Sequence, residues 1–314
     1  MRTPAWRRNI TVLGGAFTLL ITAAALPAQA DAPPSVLTAP LQHAYLANAV
    51  IGYRTAGTGT PLVLISGSGQ TMAAWDPRML DQLALTRQVI VFDNRGVGTS
   101  TGPVAGLTIA QMARDTAQLI AQVTPNGKAD VLGWSMGSYI AQELAINAPT
   151  RVRRLVLASA DCGGPNTVEP TKAVVAILVD PQATSEQRMS ILFPADQMAA
   201  AAQWQAAAGE AFAANHYQPE NTFTVPATTS AAQSIAAGPG WLDKGRGTCA
   251  RLGRITQPTL VGLGKQDAVV PSPNHLALMS GIPHATLRMY FDAGHAFLFQ
   301  PALGFTAEVA TFLS

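Results

Sequence analysis

Residues 129–145 read ADVLGWSMGSYIAQELA and place Ser135 where an apolar run ends and a helical pattern begins. The run predicts a buried strand, and the apolar residues after Ser135 recur every four positions, as along one face of a helix. Gly133 and Gly137 flank the serine. Because glycine in a tight segment costs backbone entropy, this choice indicates a strand-to-helix turn too crowded for side chains.

A serine on such a turn is typical of a nucleophile. The N-terminus of the following helix supplies free N–H groups and positive potential. We therefore interpret Ser135 as a nucleophile and the N–H of Met136 as one donor of an oxyanion hole. The loop SGSGQT (residues 66–71) follows another apolar run, and it offers the N–H of Ser68 as the second donor.

Apolar runs that end in Gly, Asn or Asp recur along the chain and alternate with helical segments, one beginning at Thr108 and a last one spanning residues 301–313. Continuous runs indicate strands buried on both faces, as in a parallel sheet, so the pattern predicts an α/β fold. Such a sheet gathers its ligand site at the carboxyl ends of its strands. The predicted strands are 62–65, 89–92, 131–132, 155–157, 259–263 and 287–291.

A nucleophilic serine needs a base, and the base needs an acid that orients it. His295 follows the last predicted strand and is the candidate base. Asp267 follows the strand before it and is the candidate acid, while Asp161, at another strand end, stays open as the alternative acid. The other histidines lie in an early edge segment, a helix-rich stretch and turns, and we predict structural or surface roles for them: His43, His216, His275 and His284.

Residues 1–30 have the pattern of a secretory signal peptide. Arginines precede an apolar run at residues 10–26, and Ala28-Gln29-Ala30 is typical of a cleavage site. We expect a secreted, periplasmic or cell-envelope protein, with Sec or twin-arginine export left open and an uncleaved membrane anchor as the alternative. Cleavage would remove three of the 20 basic residues, leaving 17 against 18 acidic ones, a net charge of −1. That balance predicts no nucleic-acid partner. The sequence has no second long apolar run after the leader, so we expect no stable membrane anchor in the mature chain.

Cys162 and Cys249 are the chain's two cysteines. In an exported protein an even pair predicts a disulfide, with two buried thiols as the alternative. The strand–helix alternation breaks between them, in a stretch rich in Ala and Gln that we interpret as an inserted helical cap. The predicted organisation is a core at residues 31–162, a cap at 163–250 and the rest of the core at 251–314.

The segments SGSGQTMAAW, VIVFDNRGVGTS, GWSMG, GKQDAVVP and AGHAF together resemble the α/β-hydrolase superfamily. The resemblance implies a mostly parallel eight-stranded sheet flanked by helices, a helical cap after strand 6, and Ser135, Asp267 and His295 as a catalytic triad. Ser66-Gly67 stands where many members carry His-Gly. Ser135 occupies the strand-to-helix turn that is called the nucleophile elbow in this superfamily. A serine there argues against the haloalkane dehalogenases and epoxide hydrolases of the superfamily, which carry Asp at this position. The DNRG segment matches a structural turn of the family.

The leading functional hypothesis is an exported serine hydrolase that cleaves carboxylic esters through an acyl-enzyme, without a metal or organic cofactor. The expected substrate is a small-molecule ester or a short peptide. DNRGVGTS also resembles aminopeptidases of the proline iminopeptidase type, which grip a substrate amine with cap carboxylates. The candidate carboxylates here are Glu169, Glu210 and Glu220. A binding protein that kept the fold without catalysis is the third hypothesis.

Overall fold

One eight-stranded sheet organises the computed structural model, which describes residues 35–180, 182–214, 225–243 and 245–314. The predicted signal peptide at 1–30, together with His216 and Glu220, lies outside these residues. The strands are β1 (Gln42–Tyr45), β2 (Val50–Ala56), β3 (Thr60–Ile65), β4 (Arg87–Phe92), β5 (Ala129–Trp134), β6 (Val152–Ala158), β7 (Thr259–Gly264) and β8 (Ala285–Tyr290).

The spatial order of the strands is β1-β2-β4-β3-β5-β6-β7-β8. Strands β3 to β8 run parallel, while β2 pairs antiparallel with both β1 and β4. The apolar runs predicted the six parallel strands, of which β5 and β7 are buried at every residue. The predicted burial on both faces is wrong for β8, an edge strand with no fully buried residue. The runs missed β1, which is mostly exposed, and β2, which mixes buried and partly buried positions, because neither strand contains a continuous apolar run.

Helices follow the strands and cover both faces of the sheet. The α-helices are α1 (Pro77–Ala84), α2 (Ile109–Val123), α3 (Met136–Asn147), α4 (Lys172–Val179), α5 (Ser185–Leu192), α6 (Met198–Ala214), α7 (Ala227–Ala237), α8 (Pro239–Leu242), α9 (His275–Gly281) and α10 (Phe305–Leu313).

Local sequence explains where two of these helices begin. The hydroxyl of Thr108 accepts the N–H of Gln111 at 3.1 Å and caps α2, as its position before the apolar pattern predicts. The predicted closing helix at 301–313 is wrong in its first part. A 3-10 turn at Pro301–Leu303 ends at Gly304, whose φ of 71° breaks the helix before α10 begins.

The helices α4 to α8 lie between β6 and β7 and form the cap after the sixth strand, so the predicted fold is confirmed. The predicted limits of the cap, residues 163 and 250, stay a prediction. Trp204 of α6 fixes the cap to the core, because its ring stacks on Phe299 at 4.7 Å and its indole N–H donates to the carbonyl of Ala74 at 3.1 Å. A disulfide joins Cys162 to Cys249 near the two ends of the cap, with their Cα atoms 4.8 Å apart.

None of the helices in the described ranges is both long and apolar enough to cross a membrane.

Candidate active site

Ser135 stands on a strained turn between β5 and α3. Its φ of 56° and ψ of −125° are unusual for a residue with a side chain. The N–H of Ser135 donates to the carbonyl of Ala158 on the neighbouring strand at 3.0 Å, and its own carbonyl accepts the hydroxyl of Ser138 at 2.6 Å. These bonds hold the strained backbone and present the serine at the carboxyl end of the sheet.

Both flanking glycines are required by close backbone approach. A Cβ on Gly137 would lie 2.0 Å from the carbonyl oxygen of Ile65, at the end of β3. A Cβ on Gly133 would lie 2.3 Å from the carbonyl oxygen of Gly137. The crowding therefore comes from backbone atoms. These cannot move aside, whereas the end of a flexible side chain could.

Asp267 and His295 meet beyond the ends of β7 and β8. Nδ1 of His295 lies 3.0 and 2.9 Å from the two carboxylate oxygens of Asp267, and both side chains are buried. An ionised carboxylate accepts hydrogen bonds, so the proton is on Nδ1 and the lone pair is on Nε2. The N–H groups of Val269 and Val270 also donate to Asp267, at 2.9 and 2.7 Å, and fix the carboxylate.

The main-chain carbonyl of His295 is held from two directions. The indole N–H of Trp134 donates to it at 3.0 Å, and the hydroxyl of Ser159 donates to it at 2.8 Å. Ser159 follows β6 and has a φ of 50°, so a second strained residue supports the histidine. The ring centroids of Trp134 and His295 are 5.6 Å apart. Since Trp134 immediately precedes Ser135, it connects the elbow to the histidine.

Within the described residues, Ser135 and His295 share no hydrogen bond. The structure thus joins Asp267 to His295 directly, and Ser135 to His295 through Trp134. Bonds between a nucleophile and its base are often long or poorly aligned before substrate binds. The arrangement provides, in the order that acyl transfer uses, an acid, an imidazole with a free Nε2, and a partly buried serine on a strained turn.

Asp161, the alternative acid, belongs to a different network. Its carboxylate accepts the hydroxyl of Tyr139, the indole N–H of Trp241 and the N–H of Gly163, each at 2.7 Å. The rings of Tyr139 and Trp241 stack at 4.7 Å. Burial raises the pKa of Asp161 above its ordinary value, while these three hydrogen bonds act to lower it. Asp161 therefore supports the base of the cap, next to the disulfide, and Asp267 contacts the imidazole.

Ser68 and Met136 both lie around the elbow. Met136 is the first residue of α3, so its N–H has no acceptor within the helix. The loop carrying Ser68 runs against the nucleophile, because a Cβ on Gly67 would lie 3.4 Å from the Cβ of Ser135. The N–H of Gly69 is occupied by Oε1 of Gln233 at 2.8 Å, which leaves Ser68 as the freer donor at the tip of this loop.

The remaining candidates lie away from this cluster. His43 and His284 are exposed and His275 is partly buried, and none of the three contacts a carboxylate. Glu169 and Glu210 are exposed. The DNRG segment has structural contacts, which include a buried ion pair between Arg95 and Asp115 at 2.6 Å. In the described part of the chain, no group of three or more His, Cys, Asp or Glu side chains is arranged to hold a metal ion.

Three residues of the site were not identified from the sequence: Trp134, Ser159 and Gln233. Trp134 lies within the elbow motif, so its position beside His295 could have been predicted from the sequence. Ser159 is an ordinary residue at a strand end, and Gln233 is one of several glutamines in the cap. Neither carries a local signal, because the contacts of both span more than 100 residues of sequence.

Known proteins resemble this chain in sequence and in fold. A family model described as alpha/beta hydrolase fold matches residues 60–302. The protein named "Putative carbamate hydrolase RutD" of Variovorax paradoxus (strain S110) is 33% identical over 262 residues, covering 82% of this chain and 92% of its own length. The 2-hydroxymuconate semialdehyde hydrolase of Pseudomonas sp. (strain CF600) is 30% identical over 266 residues, covering 82% of this chain and 88% of its own length.

Among solved structures, an alpha/beta hydrolase fold protein from Chitinophaga pinensis superposes with a TM-score of 0.76 at 25% identity. The match covers 89% of this chain and 99% of that chain. The similarity therefore extends over the cap as well as the sheet.

Proposed function

Because this chain belongs to the alpha/beta hydrolase fold family, we propose that it is a serine hydrolase that cleaves carboxylic esters through Ser135, His295 and Asp267. One observation carries the proposal: a buried carboxylate–imidazole pair lies at the same edge of the sheet as a serine on a strained turn. Related proteins named as hydrolases support hydrolysis as the reaction class.

In the proposed reaction, Oγ of Ser135 attacks the ester carbonyl carbon while Nε2 of His295 takes the hydroxyl proton. Asp267 holds the imidazole in the required tautomer and stabilises its charged form. The N–H groups of Met136 and Ser68 hold the negative oxygen of the tetrahedral intermediate. The alcohol leaves with the proton from Nε2, and an acyl-enzyme remains. Water then attacks the acyl carbon and gives a proton to Nε2 of His295. The bond from the acyl carbon to Oγ breaks, Nε2 returns the proton to Oγ of Ser135, and the acid is released.

Carbamates are the second substrate class in this proposal. The relative named as a carbamate hydrolase covers most of both chains at 33% identity. A carbamate presents the same carbonyl to the serine as an ester does, so the same oxyanion donors and base would serve it. Its carbonyl is less reactive, and we therefore expect esters to turn over faster. The aminopeptidase alternative has no comparable support, because Glu169 and Glu210 are exposed.

Export to the periplasm, cell envelope or medium is part of the proposal. The leader pattern at residues 1–30 supports it, and so does the disulfide, since disulfides persist in oxidising compartments. Expression of the full chain and N-terminal sequencing of the exported product tests it. We expect a mature chain beginning at Asp31. A product that stays in the cytosol contradicts export, and an exported product that keeps its leader supports the uncleaved membrane anchor. Neither result bears on catalysis.

The activity test uses residues 31–314 with p-nitrophenyl esters of increasing acyl length, a p-nitrophenyl carbamate, and proline and alanine p-nitroanilides. Ser135→Ala is the test variant, and Ser280→Ala, an exposed serine of α9, is the matched control. We expect ester turnover that Ser135→Ala lowers by a factor on the order of 10⁶ and Ser280→Ala leaves unchanged.

Each other outcome has a definite meaning. Anilide turnover with weak ester turnover would replace the esterase proposal with the peptidase. Carbamate turnover faster than that of the matched ester would make carbamates the main substrate class. Turnover that survives Ser135→Ala would contradict the serine mechanism.

A further inference from the structure

We propose that Gln233 of the cap is a positioning residue, which holds the loop that carries the oxyanion donor Ser68 at its working distance from Ser135. This inference rests on the proposed function. It concerns a cap residue that contacts neither Ser135, Asp267 nor His295, and it links the cap to the reaction through one side-chain hydrogen bond.

The bond itself is well defined. Oε1 of Gln233 accepts the N–H of Gly69 at 2.8 Å, and no part of Gln233 is exposed to solvent. A main-chain N–H can only donate, so the acceptor must be the amide oxygen, and this settles which way the side-chain amide is turned. Its Nε2 atom is buried and has no hydrogen-bond partner in the described part of the chain. The contact with Gly69 is therefore what orients this side chain.

The loop needs such a restraint. Ser68 and Gly69 form an exposed turn after β3, and Gly69 has a φ of 70°. The bonded N–H belongs to the peptide group that immediately follows Ser68. Nearby, a Cβ on Gly67 would lie 3.4 Å from the Cβ of Ser135, so the loop runs directly against the nucleophile. A small shift of this loop would move the Ser68 N–H away from the developing oxyanion.

The same helix contacts a second loop, which provides a matched control. Thr229 lies four residues before Gln233, on the same face of α7. Its hydroxyl donates to the carbonyl of Gly96 at 2.9 Å, in the turn that follows β4. Thr229 thus helps dock α7 on the core without contacting the loop of Ser68. Loss of either bond loosens α7, but loss of the Gln233 bond alone releases the oxyanion loop.

The expected signature is a change in kcat rather than in KM. The oxyanion exists only in the transition state and intermediate, so a misplaced donor weakens transition-state binding and leaves ground-state binding nearly unchanged. Removing an oxyanion donor outright lowers the rate about 10²–10³-fold. Gln233→Met leaves the donor in the chain but frees its loop, so we expect a decrease in kcat of roughly 10- to 100-fold.

Gln233→Met is expected to fold. It replaces a buried amide that carries an unpartnered donor with an apolar side chain of similar length, and the freed N–H of Gly69 lies on an exposed turn that water reaches. Gln233→Leu is the second variant. It offers Gly69 no acceptor and adds no charge, so its kcat should also fall roughly 10- to 100-fold.

The experiment compares the mature wild type, Gln233→Met, Gln233→Leu, Thr229→Val and Ser135→Ala. We would measure kcat and KM on the best p-nitrophenyl ester, the second-order rate of labelling by a fluorophosphonate, and Tm. Labelling forms a bond between Oγ of Ser135 and phosphorus, expels fluoride, and needs no knowledge of the natural substrate. We expect both Gln233 variants to lose at least tenfold in kcat and labelling rate. Their KM, and the kcat, KM and labelling rate of Thr229→Val, should stay within threefold of wild type.

Two results overturn the inference alone: a folded Gln233→Met within threefold of wild type in kcat and labelling, or an equal loss in Thr229→Val, which would indicate general cap docking. If Gln233→Met does not fold, Gln233→Leu decides by the same limits. A wild type that is neither active nor labelled, or labelling that persists in Ser135→Ala, overturns the proposed function and this inference with it.

Discussion

The indole N–H of Trp134 donates a hydrogen bond to the main-chain carbonyl of His295, 3.0 Å away. Trp134 precedes the candidate nucleophile in the chain, and His295 is separated from it by 161 residues. The hydroxyl of Ser159 supports the same carbonyl at 2.8 Å. The elbow and the histidine loop are therefore tied by one donor from β5 and one from the residue after β6.

Trp134→Phe should weaken catalysis more than it weakens the fold. The substitution keeps an aromatic ring in the core but removes the donor, so only Ser159 then donates to the main-chain carbonyl of His295. We expect kcat/KM on the best ester to fall about tenfold and the free energy of unfolding to fall by about 1 kcal/mol. Trp204→Phe is the control, because it removes a bond to Ala74 and leaves His295 untouched. An equal loss of activity in both variants would contradict this role for Trp134.

Asp267→Asn should abolish most of the activity, and Asp161→Asn should not. Asn at 267 can offer its N–H₂ to the imidazole and favour the wrong tautomer, for which we expect kcat to fall by a factor on the order of 10⁴. Asn at 161 can keep its oxygen toward Gly163 and Trp241, while the hydroxyl of Tyr139 turns to accept. Its kcat should stay within about threefold of wild type. Steady-state kinetics of the two variants distinguish the acids, and the reverse ranking would exchange their assignments.

The same Asp161→Asn variant should show how burial of this carboxylate affects the free energy of unfolding. Burial raises the pKa of Asp161, so the folded state holds this proton to a higher pH than the unfolded state, where the pKa is about 3.9. Between the two values the folded state binds more protons, and the free energy of unfolding falls as pH rises. The free energy of unfolding of the Asn variant does not fall in this way, because the variant has no carboxyl group at this position. Urea unfolding should therefore show that the free energy of unfolding of the variant, minus that of the wild type, increases with pH above about 3.9 and then levels off. A difference independent of pH would contradict the raised pKa.

Gly137→Ala should prevent the elbow from forming. The added Cβ would lie 2.0 Å from a backbone oxygen of β3, and neither the strand nor the helix can move without disturbing the sheet. We expect loss of soluble protein, or a folded protein without ester turnover. Gly209→Ala is the matched control, since a Cβ there meets nothing within 4 Å in the interior of α6. It should raise the free energy of unfolding by up to about 1 kcal/mol.

Reduction of the disulfide should destabilise the protein. Cys162 and Cys249 are 87 residues apart, and closing a loop of that length lowers the entropy of the unfolded chain by an amount worth about 4–5 kcal/mol. We expect a lower urea midpoint in the presence of reductant. The double variant Cys162→Ala, Cys249→Ala should have the lower urea midpoint both with and without reductant. A wild type whose midpoint is the same in both conditions would show that the bond contributes little.

The sequence by itself determined the parallel part of the sheet, the candidate nucleophile and base, and two candidate acids. Continuous apolar runs predict strands, and the fixed order of strand and helix places the residues after each run at one edge. Ser135, Asp267 and His295 were predicted for this reason, and the glycine pair around Ser135 was predicted from the crowding of its turn. Strands β1 and β2 escaped the same rule, because polar residues and a glycine interrupt their apolar positions.

Only the tertiary structure decided which acid contacts the imidazole and what holds the site together. Asp161 and Asp267 both follow strands, and the local sequence cannot say which way each carboxylate turns. The carboxylate of Asp161 accepts hydrogen bonds from Tyr139 and Trp241, residues distant from it along the chain. The bonds from Trp134 and Ser159 to His295, and from Gln233 to the oxyanion loop, likewise join distant segments. Their geometry depends on how the helices and the cap pack on the sheet, and that packing is a property of the whole chain.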